Sequence, residues 1–179
     1  MKKTLLFFVM AIAIVACNKP VKGPNGVTYK SAVQYNDYIV GRQSTLIKNV
    51  LKFGEVAQTN LDSAGLMLNG FIKDTDKMIE EIKGMPAWKG DTTLRNAAVR
   101  SFSFYKRVFE KDYRRILELR KDETAGEEAI TEINSIVDNI SKEEEQYDKT
   151  FHNAQRDFAT KNKMKLVENE LQKKIDDSN

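Results

Sequence analysis

The chain has 179 residues, 41% hydrophobic and 31% charged, with 29 Lys and Arg against 26 Asp and Glu for a net charge of +3. One cysteine rules out an internal disulfide and a Cys-rich metal centre. Charges of both signs in near balance leave no basic footprint for nucleic acid, and the length suits one compact domain with a proper core.

Met1-Lys2-Lys3 is a short positive segment, and Leu5 to Ala16 is almost wholly apolar. This pairing matches the charged and hydrophobic regions of a secretory signal peptide, and the run is too short to span a bilayer, which takes about twenty residues in a helix. Ile14-Val15-Ala16-Cys17 comes directly after and resembles the lipobox of bacterial lipoproteins. That resemblance implies cleavage before Cys17 and acylation of its thiol and new amine, so residues 1–16 are expected to be removed. Two or three acyl chains hold firmly, since each buried methylene contributes about 0.8 kcal/mol. Processing leaves 29 − 2 = 27 basic side chains against 26 acidic ones. Residues 17–30, with Pro20, Gly23, Pro24 and Gly26, read as a lipid-anchored flexible tether, and 31–179 as the folded domain. Asn18 stands where some bacteria place an inner-membrane retention Asp, so the outer membrane is favoured, on either face.

From Ala32 the apolar pattern steps alternately by four and three through Asn36, Ile39, Gln43, Leu46, Val50, Phe53 and Ala57, the seam of a bundle helix. A second run takes Leu61, Ala64, Leu68, Phe71, Thr75, Met78 and Ile82, with no Gly or Pro marking the turn between them near Gln58 to Asp62. Gly84 to Gly90 breaks the pattern, and Asp91 is placed to cap the third helical run. That run carries Leu94, Ala98, Ser101, Tyr105, Val108, Asp112, Ile116 and Leu119, up to a polar break at Asp122 to Gly126. A fourth takes Ile130, Ile133, Val137, Ile140, Glu144, Tyr147, Phe151, Ala154 and Phe158, and Met164, Val167 and Leu171 recover a helical period out of phase. The expected fold is all-α, an up-down-up-down antiparallel four-helix bundle with a long C-terminal helix whose last part overhangs.

Asn36, Gln43, Asp112 and Glu144 occupy seam positions, where a buried polar group without a partner costs about 1 to 3 kcal/mol. Counting back from the turns sets Gln43, Tyr105 and Glu144 at one height and Asp112 nearer the other end. This candidate polar layer reads first as a hydrogen-bonding device that fixes helix register, and otherwise as a small-ligand or metal pocket. A ferritin-type di-iron site fails because His152 is the only histidine and Lys149 stands where its Glu is needed. A c-type haem motif is absent, and His152 beside Asp148 reads as a solvated pair.

Arg100, Arg107, Arg114 and Lys121 recur at heptad spacing as a basic ridge. It suits anionic head groups or polysaccharide, but the Glu-rich fourth helix makes inter-helix pairing the stronger reading. No Gly-rich phosphate loop, Gly-x-Ser-x-Gly elbow or His-Glu-x-x-His occurs, so no catalytic residue, metal or cofactor is assigned. Asp62-Ser63-Ala64 and Asp91-Thr92-Thr93 resemble a short bacterial O-glycosylation signal.

Across "YNDYIVGRQ", Tyr35 to Gln43, and "LRNAAVRSFSFYKRVFEKDY", Leu94 to Tyr113, the chain resembles uncharacterised helical surface lipoproteins of Bacteroidetes and spirochaetes. The resemblance implies a lipid-anchored bundle outside the cytoplasm and carries over no functional residue. The expected role is a non-catalytic binding or structural module of the cell envelope. Its partners would be the membrane, through the lipid, and an envelope protein or glycan. The alternative is a lipoprotein that sequesters a small ligand or metal in the polar layer.

Overall fold

The computed structural model describes residues 9–12, 19–122 and 124–168 and is mostly helical. In chain order the elements are β1 (Val9–Ile12), β2 (Val21–Lys22), β3 (Thr28–Tyr29), α1 (Ala32–Thr59), α2 (Leu61–Lys83), α3 (Thr93–Arg107), a π-turn (Val108–Asp112), α4 (Tyr113–Lys121), α5 (Glu127–Lys161) and β4 (Lys165–Glu168). Cys17 and the rest of the lipobox lie outside the described residues, as does Leu171.

The seam positions read from the sequence form the core of α1 and α2. Ile39, Leu46, Phe53 and Ala57 on α1 and Ala64, Leu68, Phe71, Met78 and Ile82 on α2 are all buried. Ser31 caps α1 by accepting from the Gln34 amide. One residue separates the first two helices. The Asn60 amide donates to Val56 O at 2.8 Å and ends α1, while its side-chain oxygen accepts from Ser63 N at 2.8 Å and starts α2. A single extended residue with a capping side chain therefore makes the turn that neither Gly nor Pro marks.

Pairs of side chains fix how the helices meet. Arg42 bonds Glu81, and Lys121, Arg114 and Lys106 on the α3–α4 stretch reach Asp62, Asn69 and Asp76 on α2. Phe104 stacks on Tyr147, Arg107 meets Glu143, and Arg115 meets Glu132 on α5. At the end nearest residue 31, Tyr35 packs between Trp88 and Phe158, with ring centroids 5.6 and 5.4 Å away.

The π-turn changes the face that the next helix buries. It inserts one residue into the heptad count, so the core continues through Phe109, Tyr113 and Leu117. Tyr113 stacks on Phe53 at 4.6 Å. Asp112 and Ile116, expected on the seam, are displaced from it; Asp112 instead accepts from Arg107 at 2.8 Å. Asp112 is therefore removed from the candidate core layer.

Two further expectations are corrected. The C-terminal segment does not extend the fourth helix: α5 ends at Lys161, and Lys163 takes a left-handed φ of 54° while Met164 N reaches back to Ala159 O at 2.9 Å. That is a Schellman closure with Lys in the position that Gly usually fills. Asn162 holds it by accepting from Trp88 Nε1 at 2.9 Å and donating to Phe158 O at 2.9 Å. The chain then forms β4, antiparallel to β1, with Val9 opposite Glu168 and Ile12 opposite Lys165. Val9–Ile12 belongs to the stretch read as a signal peptide, so under that reading the pairing exists only before cleavage.

The expected flexible tether is folded from Val21 onward. Strands β2 and β3 form a small hairpin, Tyr29 is buried, and Asn25 bonds Gly84 O through its amide and Glu81 O through its side chain, at 3.1 and 3.0 Å. Gly84 is needed there, because a Cβ would lie 2.9 Å from Asn25 Cβ. Pro and Gly in this stretch set a turn rather than slack.

Candidate functional site

The α3–α5 contact brings two of the predicted layer residues together. Tyr105 on α3 donates its hydroxyl to Glu144 Oε1 on α5 at 2.6 Å. One turn along α5 from Glu144 stands Asp148, and Tyr113, at the start of α4, is packed half-buried against the core by the shift that the π-turn introduces. Burial and the neighbouring Glu144 charge push the Asp148 carboxyl up to about 8. Burial raises Glu144 as well, against the hydrogen bond from Tyr105 that holds it down. Tyr105 is pushed well above the ordinary phenol range by burial and by Glu144, and Tyr113 to about 12 by the same two causes. Two carboxyls one turn apart in a half-buried setting resist ionising together. Among the described residues no Lys or Arg pairs with either.

On the α1 side, Gln155 Nε2 donates to Asn36 Oδ1 at 2.8 Å, and both residues are fully buried. One heptad along α1 from Asn36 is Gln43, and one heptad back along α5 from Gln155 is Asp148. That register sets Gln43 level with the carboxyl pair. Gln43 is 7% exposed, and its Oε1 has no hydrogen-bond partner among the described residues. The α3–α5 contact thus offers two carboxyls and a phenol, and α1 holds a buried carbonyl oxygen at the same height. The layer can hold a proton near neutral pH and present oxygen acceptors to a donor, but it has no activated nucleophile. Among the described residues no three His, Cys, Asp or Glu side chains group as a metal site.

Of the predicted layer, Asn36, Gln43, Tyr105 and Glu144 face the interior and Asp112 does not. Asp112 instead lines a surface groove of about 280 Å³ with Arg107, Ile140 and Glu143. Asp148 and Tyr113 are members of the layer that the seam count does not assign, and Gln155 pairs with Asn36 one heptad away. Asp148 has a readable signal, its spacing of four from Glu144, which its acidic surroundings mask. The expected solvated Asp148–His152 pair is also revised, since both side chains are half-buried and burial lowers the imidazole.

The basic ridge does not survive as one surface. Arg107 turns to Asp112 and Glu143, with its guanidinium 5.2 Å from the Phe104 ring centroid. Arg114 and Lys121, beyond the π-turn, reach Asn69 and Asp62 on α2. Arg100 stays exposed beside Arg95 and Lys83. Asp91 does receive a helix-start amide, from Thr93 at 2.8 Å, and pairs with Lys161; the Lys161 ammonium and then Thr93 hold its carboxyl down at about 2.

No protein-family model, no curated protein and no solved structure matches this chain.

Proposed function

We propose that the protein is a lipid-anchored, non-catalytic binding or structural module of the bacterial cell envelope. It is built as an up-down-up-down antiparallel four-helix bundle and held at the outer membrane through acylated Cys17. One observation carries the reading: a twelve-residue apolar run after Lys2-Lys3 ends in Ile14-Val15-Ala16-Cys17. The pairings of Arg42 with Glu81, Lys121 with Asp62 and Arg115 with Glu132 support alternating helix directions. No helix among the described residues is long and apolar enough to cross a membrane. The resemblance at Tyr35–Gln43 and Leu94–Tyr113 agrees with this role. The partner on this reading is an envelope protein or glycan.

The test is labelling with a radioactive or alkynyl fatty acid in a bacterial host. The wild type takes up label and enters the detergent phase of a cloud-point separation, and Cys17→Ser does neither. Equal partitioning of the two proteins refutes the anchor.

A second reading, sequestration of a small hydrogen-bond donor or a cation, is favoured by the buried Gln43 Oε1, which has no partner among the described residues and stands level with the Glu144–Asp148 pair. Native mass spectrometry of protein purified from its host separates the two. A bound mass lost in Gln43→Leu and Glu144→Leu, with helicity retained, supports the ligand reading; bare protein supports the structural one.

A further inference from the structure

We propose that the end of the domain next to the anchor is a docking surface for anionic phospholipid head groups, which seats the bundle on its own membrane. The inference rests on the acylated Cys17 of the preceding reading and adds an orientation to it.

Three chain segments build this end. They are the hairpin of β2 and β3, the loop from Gly84 to Thr92, and the turn after α5, and they are tied by the Asn25 to Gly84 and Trp88 to Asn162 hydrogen bonds. Their charges are one-sided. Lys19, Lys22 and Lys30 come from the first segment, Lys89 from the second, and Lys161, Lys163 and Lys165 from the third, all exposed. Asp91 in the loop is taken by Lys161 at 2.8 Å, and Glu168 lies at the far end of β4, the strand that carries Lys165. The other six lysines have no ion-pair partner among the described residues, so their charge stands unneutralised there. Two are displayed by unusual backbone. Lys89 (φ 51°) and Gly90 (φ 84°) form the tip of a tight two-residue turn closed by Trp88 and Asp91, and Lys163 sits at the left-handed closure of α5.

The opposite end has the reverse balance. Asp62, Asp122, Glu127 and Glu128 gather there against Lys121 and Arg120, and Lys121 is held by Asp62 while Arg120 donates to Ala57 O. Counted with its helix ends, the first end also holds Asp37, Glu80, Glu81 and Asp157, with Glu81 taken by Arg42 and Glu80 by Lys83, and its lysines still leave it more positive than the far end. Chain length then fixes which end meets the membrane. Only four peptide links separate Cys17 from Val21, the first residue of the folded hairpin, and they span roughly 14 Å at full extension. With Cys17 in the bilayer surface the six lysines lie within about a Debye length or two of the head groups, close enough for anionic lipid to attract them.

The experiment uses the full lipidated protein reconstituted in vesicles of phosphatidylcholine, with or without phosphatidylglycerol. Amine acetylation is followed lysine by lysine by mass spectrometry. With phosphatidylglycerol, Lys22, Lys89 and Lys163 react about tenfold more slowly than in phosphatidylcholine alone, the protection disappears in high salt, and Lys48 and Lys52 on α1 react alike in both. Lys22→Glu/Lys89→Glu/Lys163→Glu removes the protection from Lys19, Lys30 and Lys165. Equal rates in the two vesicle types overturn the proposal. So does protection that survives in the triple variant, or that needs a polyanionic glycan rather than lipid. The mass of the N-terminal peptide reports acylation of Cys17 in the same digest, so a failed anchor and a failed docking surface leave different records.

Discussion

Replacing Asp148 by Asn removes a carboxyl that the folded protein holds protonated, and its effect on stability is set by pH. The group titrates near 4 when exposed and near 8 in the folded chain. Between those values the folded state keeps a proton that the unfolded state has released, so stability falls as pH rises and the penalty is absent below about pH 4. The greatest slope for one such group is about 1.4 kcal/mol per pH unit. From pH 6.5 to 8.5 the carboxyl spends about one and a half units below its folded pKa, giving an upper limit of about 2 kcal/mol. Solvent reaching a half-buried side chain reduces this, so the expected loss is about 1 to 2 kcal/mol. Burial lowers the His152 imidazole, so the unfolded chain binds more protons there at the lower edge of the window, and this group offsets part of the slope. Glu144, raised for the same reason as Asp148, acts in the same direction. Urea unfolding followed at 222 nm at the two pH values measures the difference, with an unchanged m value as the check that the same transition is compared. Wild type loses stability across the window and Asp148→Asn keeps most of it. Parallel pH dependences for the two proteins refute the buried-carboxyl argument.

Gln43→Leu removes the orphaned carbonyl and stabilises the protein by about 1 kcal/mol in the same assay; a loss of more than about 1 kcal/mol means the amide has a partner that matters. Asn60→Ala deletes the side-chain cap that starts α2 and costs about 1 to 2 kcal/mol, with Asn60→Asp retaining most of the stability. Gly84→Ala forces a Cβ against Asn25 and costs about 1 to 3 kcal/mol. Limited proteolysis of that variant opens sites between residues 19 and 30 that are protected in the wild type; unchanged protection contradicts a docked hairpin.

Apolar spacing makes the helical segments legible, because a stripe that repeats every three and four residues has to be buried somewhere, and Ile39, Leu46, Leu68 and Phe102 are. The links are harder to read where a residue does an unusual job. Asn60 turns the chain without the conformational freedom of Gly, and Lys163 adopts a left-handed φ that its residue type does not advertise. The hairpin before α1 is hidden for the opposite reason. Its Pro and Gly residues resemble a linker, and the contacts that fix it come from Gly84 and Glu81, more than fifty residues away. In the candidate layer, Tyr105 and Glu144 are found by counting back from the turns. Asp148 is lost among acidic neighbours on α5, of which Glu145 faces solvent and Glu143 meets Arg107.

The π-turn is invisible to such counting, because Asp112 and Ile116 keep the heptad beat while the chain slips beneath it. Its presence divides one continuous helix into two halves that can be altered separately. Deleting a single residue between Val108 and Asp112 would rewind the stretch to regular α-helix and move Tyr113 and Leu117 back by one position, onto the seam places that the heptad count gives to Asp112 and Ile116. Tyr113 would then still meet Phe53, and Leu117 would stay buried. A one-residue deletion is therefore better tolerated there than in the middle of α3 or α4, where everything beyond it would turn by about 100°.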